Sequence, residues 1–140
     1  MKNLPHVKRE PENEAEWFAT LAALARYLRS PQGCPWDQKQ TAQSFASFVK
    51  EEIEELMEAF GSGDKAHIEE EFGDTLFCLI ASAACAEAEG LFTLEGALTR
   101  IHEKMIRRHD HVFGDTEAAT PEAAVDSWNR IKAEERRRKA

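Results

Sequence analysis

The chain is 140 residues long, with 26 acidic residues against 18 lysines and arginines, a formal net charge of -8 and 42% hydrophobic residues. That length allows one domain with its own core, the acidic balance argues against a general nucleic-acid binder, which needs a basic face, and no apolar run suits a membrane span or a signal peptide. The expectation is a soluble, cytoplasmic protein with reduced thiols: Cys78 and Cys85 fall two turns apart on one predicted helix, too distant to bridge, Cys34 lies in a loop, and no Cys or Cys/His spacing suggests zinc.

Residues 1–11 are polar and bounded by prolines, and read as a flexible arm ahead of a single domain over 12–140. From Glu12 to Ser30, Trp17, Leu21, Leu24 and Leu28 recur at helical spacing. Acids in the first turn, and Arg26 and Arg29 near the end, match the helix dipole. Pro31-Gln32-Gly33-Cys34-Pro35-Trp36 cannot continue that helix, so the chain turns there. Trp36 has two readings, a plug at the end of a bundle or a platform for a flat ligand, and the residues alone favour the plug.

A second helix runs from Thr41 to Phe60 and ends at Gly61-Ser62-Gly63, with Asp64 as N-cap of a third. So short a link predicts antiparallel neighbours. Wound at about 100° per residue, Phe45, Phe48, Val49, Ile53, Leu56 and Phe60 gather on one buried arc. Glu52 falls inside that arc, while Glu51 and Glu55 stack along its edge. A carboxylate facing a core should be paired, metal-bound or protonated, because desolvating its charge is costly. The third helix repeats the oddity. From Thr75 to Ala86 it carries no charge and is expected to be buried nearly all round, and Glu71 and Asp74, an i, i+3 pair, are its last charges before that stretch.

That helix yields near Glu89-Gly90, and Thr93 can cap a fourth in which Leu94, Ala97, Leu98, Ile101 and Met105 share a face. Arg108 falls on the same apolar arc and Lys104 at its edge. Either their aliphatic stems snorkel over the core, or they are counter-charges for a bound polyanion. His109 to Gly114 closes the helix. Thr120-Pro121-Glu122 opens the last one, with Val125, Trp128 and Ile131 on its buried side and Glu134 to Lys139 as a solvated charge run. No stretch reads as a strand, so the fold class is all-α, a helical bundle.

The clustered carboxylates admit three explanations. A solvated acidic face accounts for Glu54, Glu58 and Glu70 but not for Glu52. A di-iron carboxylate bundle needs Glu-x-x-His on two helices, and the sequence has only Asp64-Lys65-Ala66-His67 as an imperfect approach. Magnesium-dependent chemistry on a phosphate chain uses both the acids and the basic residues Lys104, Arg107 and Arg108, since a divalent cation can bridge carboxylate and phosphate. No GxxxxGK[ST] loop is present, which excludes a P-loop enzyme.

Glu51-Glu52-x-x-Glu55 followed by Glu71-x-x-Asp74 resembles the EExxE…ExxD pattern of the MazG nucleoside triphosphate pyrophosphohydrolases, in the all-α NTP pyrophosphatase superfamily. The resemblance extends to Leu28-Arg29-Ser30-Pro31 running into Gly33-Cys34-Pro35-Trp36-Asp37, to Gln40-Thr41, to Lys104-Met105-Ile106-Arg107-Arg108-His109 with His111-Val112-Phe113, and to Trp128 through Lys132. It implies a MazG-like homodimer that splits nucleoside triphosphates into nucleoside monophosphate and pyrophosphate with magnesium, manganese substituting for it. By position, it makes Glu52, Glu55, Glu71 and Asp74 metal ligands and Glu51 a further ligand or water-orienting group. Lys104, Arg107 and Arg108 become phosphate contacts, with Glu51, Glu52, Lys104 and Arg108 as the catalytic set, and Trp36 and Lys39 belong to the nucleotide pocket. Asp110 stands where proline is usual after the Arg-Arg-His run, Ile53-Glu54 stands where alanine and an aromatic are common, and one copy of the domain is expected. The alternative in another class is a helical interaction or regulatory module that keeps the fold without hydrolysis.

Overall fold

Asn13, Thr41, Asp64 and Thr120 each accept a hydrogen bond from the backbone N–H three residues on, and each starts a helix. The computed structural model describes residues 4–140 and contains seven α-helices: α1 (Glu14–Leu28), α2 (Pro35–Lys39), α3 (Ala42–Ser62), α4 (Lys65–Ala88), α5 (Leu94–Arg108), α6 (Asp110–Phe113) and α7 (Pro121–Lys139), with no strand among those residues. None of these helices is long and apolar enough to cross a membrane.

The turn expected after α1 contains a helix of its own. Pro35 occupies the first turn of α2, where its missing N–H costs nothing and its fixed φ suits the helix. Gly33 makes the approach possible, because a Cβ there would collide with the Tyr27 and Leu28 carbonyl oxygens. α3 begins with a capping box between Thr41 and Ser44. It continues through Gly61 and Ser62 to end at Gly63, whose φ of 71° is the left-handed C-cap.

Two compact units make up the chain, one ending at Leu94 and one spanning Glu95–Ala140. In the first, α3 and α4 pack along each other as the short link predicts, and α1 packs on α4. Ala22 and Ala25 of α1, Phe45 of α3, and Ile80, Ala81, Ala84 and Cys85 of α4 form its core. Small side chains on α1 and α4 let these helices approach closely, while Phe18, Leu21, Phe48, Leu76 and Phe77 fill the margins. Ahead of α1, His6 stacks on Tyr27, and Arg9 pairs with Glu16.

Three side chains of α4 and its C-cap fasten this unit. Glu87 accepts from Arg26 Nε at 2.9 Å and Nη2 at 3.2 Å, and from the Leu94 N–H at 3.1 Å. Glu89 accepts from the Ala42 N–H at 3.0 Å, satisfying an orphan donor at the start of α3. Ser82 Oγ donates to the Ala42 carbonyl at 2.7 Å.

The buried arc of α3 is narrower than its sequence predicts. Phe45, Leu56 and Ala59 are buried, but Ile53 is 44% and Phe60 56% exposed, and with Met57 they form an open stripe at i, i+4 and i+7. On α4, Thr75 and Ile80 through Ala86, Ser82 excepted, are buried, yet Leu79 is exposed, so the helix is not covered all round.

In the second unit α6 packs on α7, and α7 buries Ser127 and Ile131 with Trp128 half-buried; Val125 lies exposed. Leu98 and Ile101 on α5 are also exposed, while Arg108 on the same face is buried. The tail is not a uniformly solvated run. α7 continues through it to Lys139, and Glu135 is half-buried, because it stands one turn after Ile131 and two after Trp128 on the inward side.

Candidate functional site

Glu52 and Glu55 lie one turn apart on α3, and Glu71 lies in the second turn of α4, where the antiparallel pairing brings it opposite them. One carboxylate oxygen from each of the three lies within 4.8 Å of the others. Glu52 and Glu71 are half-buried, Glu55 is exposed. Glu52 Oε2 and Glu71 Oε2 are buried and make no hydrogen bond among the described residues. Leaving buried carboxylate oxygens without a donor is expensive, so the arrangement asks for a positive group.

Electrostatics point the same way. Burial, followed by the charges of Glu55, Asp74 and Glu71, raises the Glu52 carboxyl above its ordinary value. Burial, Glu55 and Asp74 raise Glu71, against a small opposing effect of His67, whose ring lies 4.0 Å away. Asp74 thus adds its charge to the cluster, although its oxygens fall outside the group of three. Cys78, one turn beyond Asp74, has its thiol pushed up by burial and by Glu52 and Asp74, so it stays protonated and the available donors are oxygens. An all-oxygen anionic set with orphaned lone pairs fits a hard divalent cation such as magnesium or manganese.

Glu51 is exposed on α3 and is not among the three converging residues. Trp36, on α2, stacks on Phe48 at 5.7 Å with rings inclined by 22° and meets Phe45 edge-on, yet remains 52% exposed. It therefore packs on the core margin and also presents ring surface to solvent. Lys39 is the exposed last residue of α2.

The basic residues lie on the last turns of α5, in the second unit. Lys104 is half-buried and Arg107 exposed. Arg108 is only 9% exposed, its guanidinium carbon 5.1 Å from the centre of the Trp128 ring, a cation–π geometry. Arg107 Nε donates to Glu135 Oε1 at 2.5 Å and Arg108 Nη2 to Glu135 Oε2 at 2.8 Å. The two guanidinium groups hold the Glu135 carboxyl down at about 2. Glu135 escapes a reading by local composition because four basic residues follow it directly; its i+4 and i+7 spacing from Ile131 and Trp128 is the signal that finds it. Asp110 starts α6 and accepts from the Thr116 N–H at 3.2 Å and from the Thr116 hydroxyl, tying down the loop that follows.

The chain is similar to several known proteins. The family model of the MazG nucleotide pyrophosphohydrolase domain matches residues 40–113, which contain Glu51, Glu52, Glu55, Glu71 and Asp74 and the basic end of α5. The chain is 40% identical over 122 residues to the nucleoside triphosphate pyrophosphohydrolase/pyrophosphatase MazG of Thermotoga maritima, covering 87% of this chain and 46% of that protein. It is 37% identical over 121 residues to the nucleoside triphosphate pyrophosphohydrolase of Escherichia coli K12, covering 86% of this chain and 46% of that protein. Among solved structures, a mazG-related protein from Thermotoga maritima superposes with a TM-score of 0.68 at 32% identity, covering 81% of this chain and 96% of that one. The chain spans less than half the length of the curated relatives it matches. On the family match, the identities and the shared all-α fold, the chain belongs to the MazG nucleotide pyrophosphohydrolase family.

Proposed function

We propose that this chain hydrolyses nucleoside triphosphates, ribo- or deoxyribo-, between the α and β phosphates in a magnesium-dependent reaction, releasing nucleoside monophosphate and pyrophosphate and so clearing unwanted nucleotides from the cytoplasmic pool. The observation that carries this reading is the convergence of Glu52, Glu55 and Glu71, with two buried oxygens lacking a hydrogen bond among the described residues. Three carboxylates alone repel a polyphosphate. Glu52, Glu55 and Glu71 would hold magnesium, or manganese in its place, with Asp74 beside them. When bound, the cation neutralises phosphate charge, polarises a phosphoryl oxygen and lowers the pKa of a water. Glu51, exposed on the adjacent face of α3, would orient that water. Lys104, Arg107 and Arg108 would contact phosphate oxygens, guanidinium being shaped for paired N–H···O bonds. Trp36 and Lys39 would contact the base or sugar, Trp36 through its exposed ring surface.

The exposed stripe of Ile53, Met57 and Phe60 on α3, with Phe72 and Leu79 exposed on α4, supports a homodimer as the working form. Solution mass at micromolar concentration tests it: a fully active monomer overturns the dimer. The same surface favours the second reading, a helical interaction module without hydrolysis. Incubation with each common NTP and dNTP plus magnesium, with pyrophosphate and orthophosphate assayed separately, decides between them. Pyrophosphate and nucleoside monophosphate in equal amounts are expected. Orthophosphate as the primary product overturns the choice of bond, and no cleavage of any nucleotide leaves the interaction module.

A further inference from the structure

We propose that Glu135 is a positioning residue for polyphosphate recognition, presetting the guanidinium groups of Arg107 and Arg108; this rests on the phosphate-contact role proposed above for those two arginines. Arg107 and Arg108 are adjacent cations on the last turn of α5, about 100° apart around the helix, so their long side chains leave it in different directions. Glu135 reaches them from α7, with one oxygen on each: Oε1 on Arg107 Nε at 2.5 Å and Oε2 on Arg108 Nη2 at 2.8 Å. A single carboxylate thereby draws the two guanidinium groups together and fixes both.

The mode of contact argues that Glu135 presents the arginines rather than blocking them. A carboxylate bound fork-to-fork occupies two nitrogens of one guanidinium. Glu135 takes one nitrogen from each, so both retain donors for a second anion. Arg107, half exposed, offers its remaining nitrogens to such an anion, whereas Arg108 Nε is buried and has no hydrogen-bond partner among the described residues. The Arg108 side chain is 11% exposed and lies over the Trp128 ring, so its orientation is fixed on two sides, by Trp128 and by Glu135. Arg107 is 49% exposed, and Glu135 is the anchor that keeps it beside Arg108. Because the two arginines hold the Glu135 carboxyl at about 2, the clamp stays charged at every working pH. The preset fork also spares a phosphate chain the entropy of ordering two flexible side chains.

The test uses inorganic tripolyphosphate with magnesium, titrated by calorimetry into the parent chain, Glu135→Ala and Glu135→Gln, alongside KM and kcat for a nucleoside triphosphate with magnesium. Glu135→Ala is expected to weaken tripolyphosphate binding and to raise KM, each by about tenfold, with kcat changed by less than about threefold. Glu135→Gln keeps one acceptor oxygen and should fall between the two. Should the alanine variant fail to fold, as judged by circular dichroism, the glutamine variant alone carries the test. Tighter tripolyphosphate binding after either substitution overturns the proposal by making Glu135 a competitor of phosphate. Unchanged binding overturns it too, as does a variant that loses only melting temperature and active fraction at constant KM, since that marks Glu135 as merely structural. Absence of tripolyphosphate binding by the parent likewise overturns it. A parent that cleaves no nucleotide, yet binds tripolyphosphate less well once Glu135 is removed, refutes the hydrolase reading and upholds the clamp.

Discussion

Glu87 and Glu52 belong to the same helix pair and meet opposite conditions. At the C-terminal end of α4, Glu87 is neutralised by Arg26 and caps the Leu94 N–H, and these partners, the Arg26 hydrogen bond first, hold its carboxyl below the ordinary value. Nearer the α3–α4 link, Glu52 faces Glu55 and Glu71, keeps a buried oxygen without a donor, and has its carboxyl raised. Both are glutamates at the edge of one core, so residue type and burial do not separate them; partners do. A paired acid fastens helices, whereas an acid packed against other acids works against the fold until a cation arrives. The contrast teaches where this unit keeps stability and where, on the proposed metal-binding reading, it gives stability up.

The sharpest way to break the contrast is Glu52→Gln, which removes one charge at nearly constant volume. Turnover in the pyrophosphate assay should fall at least about a thousandfold. Near-normal turnover would show that Glu52 holds no metal. Next in size is the response to magnesium. At a free concentration a hundred times its dissociation constant, magnesium should stabilise the parent by about 2.7 kcal/mol through mass action, visible as a higher melting temperature that EDTA reverses. The Glu52→Gln variant should gain less; an equal gain would refute the ligand role.

Glu87→Ala probes the paired end. Losing an exposed ion pair and a helix cap together should cost about 1–2 kcal/mol in urea unfolding. The magnesium-induced stabilisation should survive, and its loss in this variant would mean that the two ends are not separable.

The smallest effect is the dependence on pH, where the two ends carry opposite signs. In EDTA, Glu52 and Glu71 hold protons more tightly in the folded chain, so their contribution is fully present below the unfolded value of 4.5 and is lost as pH rises through the raised folded values. Glu87 and Glu135 are depressed, Glu135 to about 2, so theirs is present above 4.5 and lost as pH falls through the lowered folded values. Melts from pH 3 to 8 should therefore show Glu52→Gln flattening the decline toward neutral pH and Glu87→Gln flattening the decline toward acid. The same slope change in both variants would contradict the assignment.

Much of this was legible from the chain alone, because it depends on local chemistry. Thr41, Asp64 and Thr120 announce helix starts through side chains that reach their own backbone, and Gly63 ends α3 because its φ suits residues without a Cβ. The two-residue link between α3 and α4 dictates their antiparallel pairing, which is enough to bring Glu52 and Glu55 toward Glu71. Tertiary structure alone decided the rest. Periodicity names a face but not its cover, so Ile53 and Phe60 share the arc of Leu56 and still face solvent. Glu134 and Glu135 look alike as neighbouring acids on a charged helix, yet it is Glu135 that bonds Arg107 and Arg108, 28 and 27 residues earlier. Whether an acid is a strut or a ligand depends on which charge stands opposite it, and that neighbour is supplied by distant chain segments that composition and spacing do not bring together.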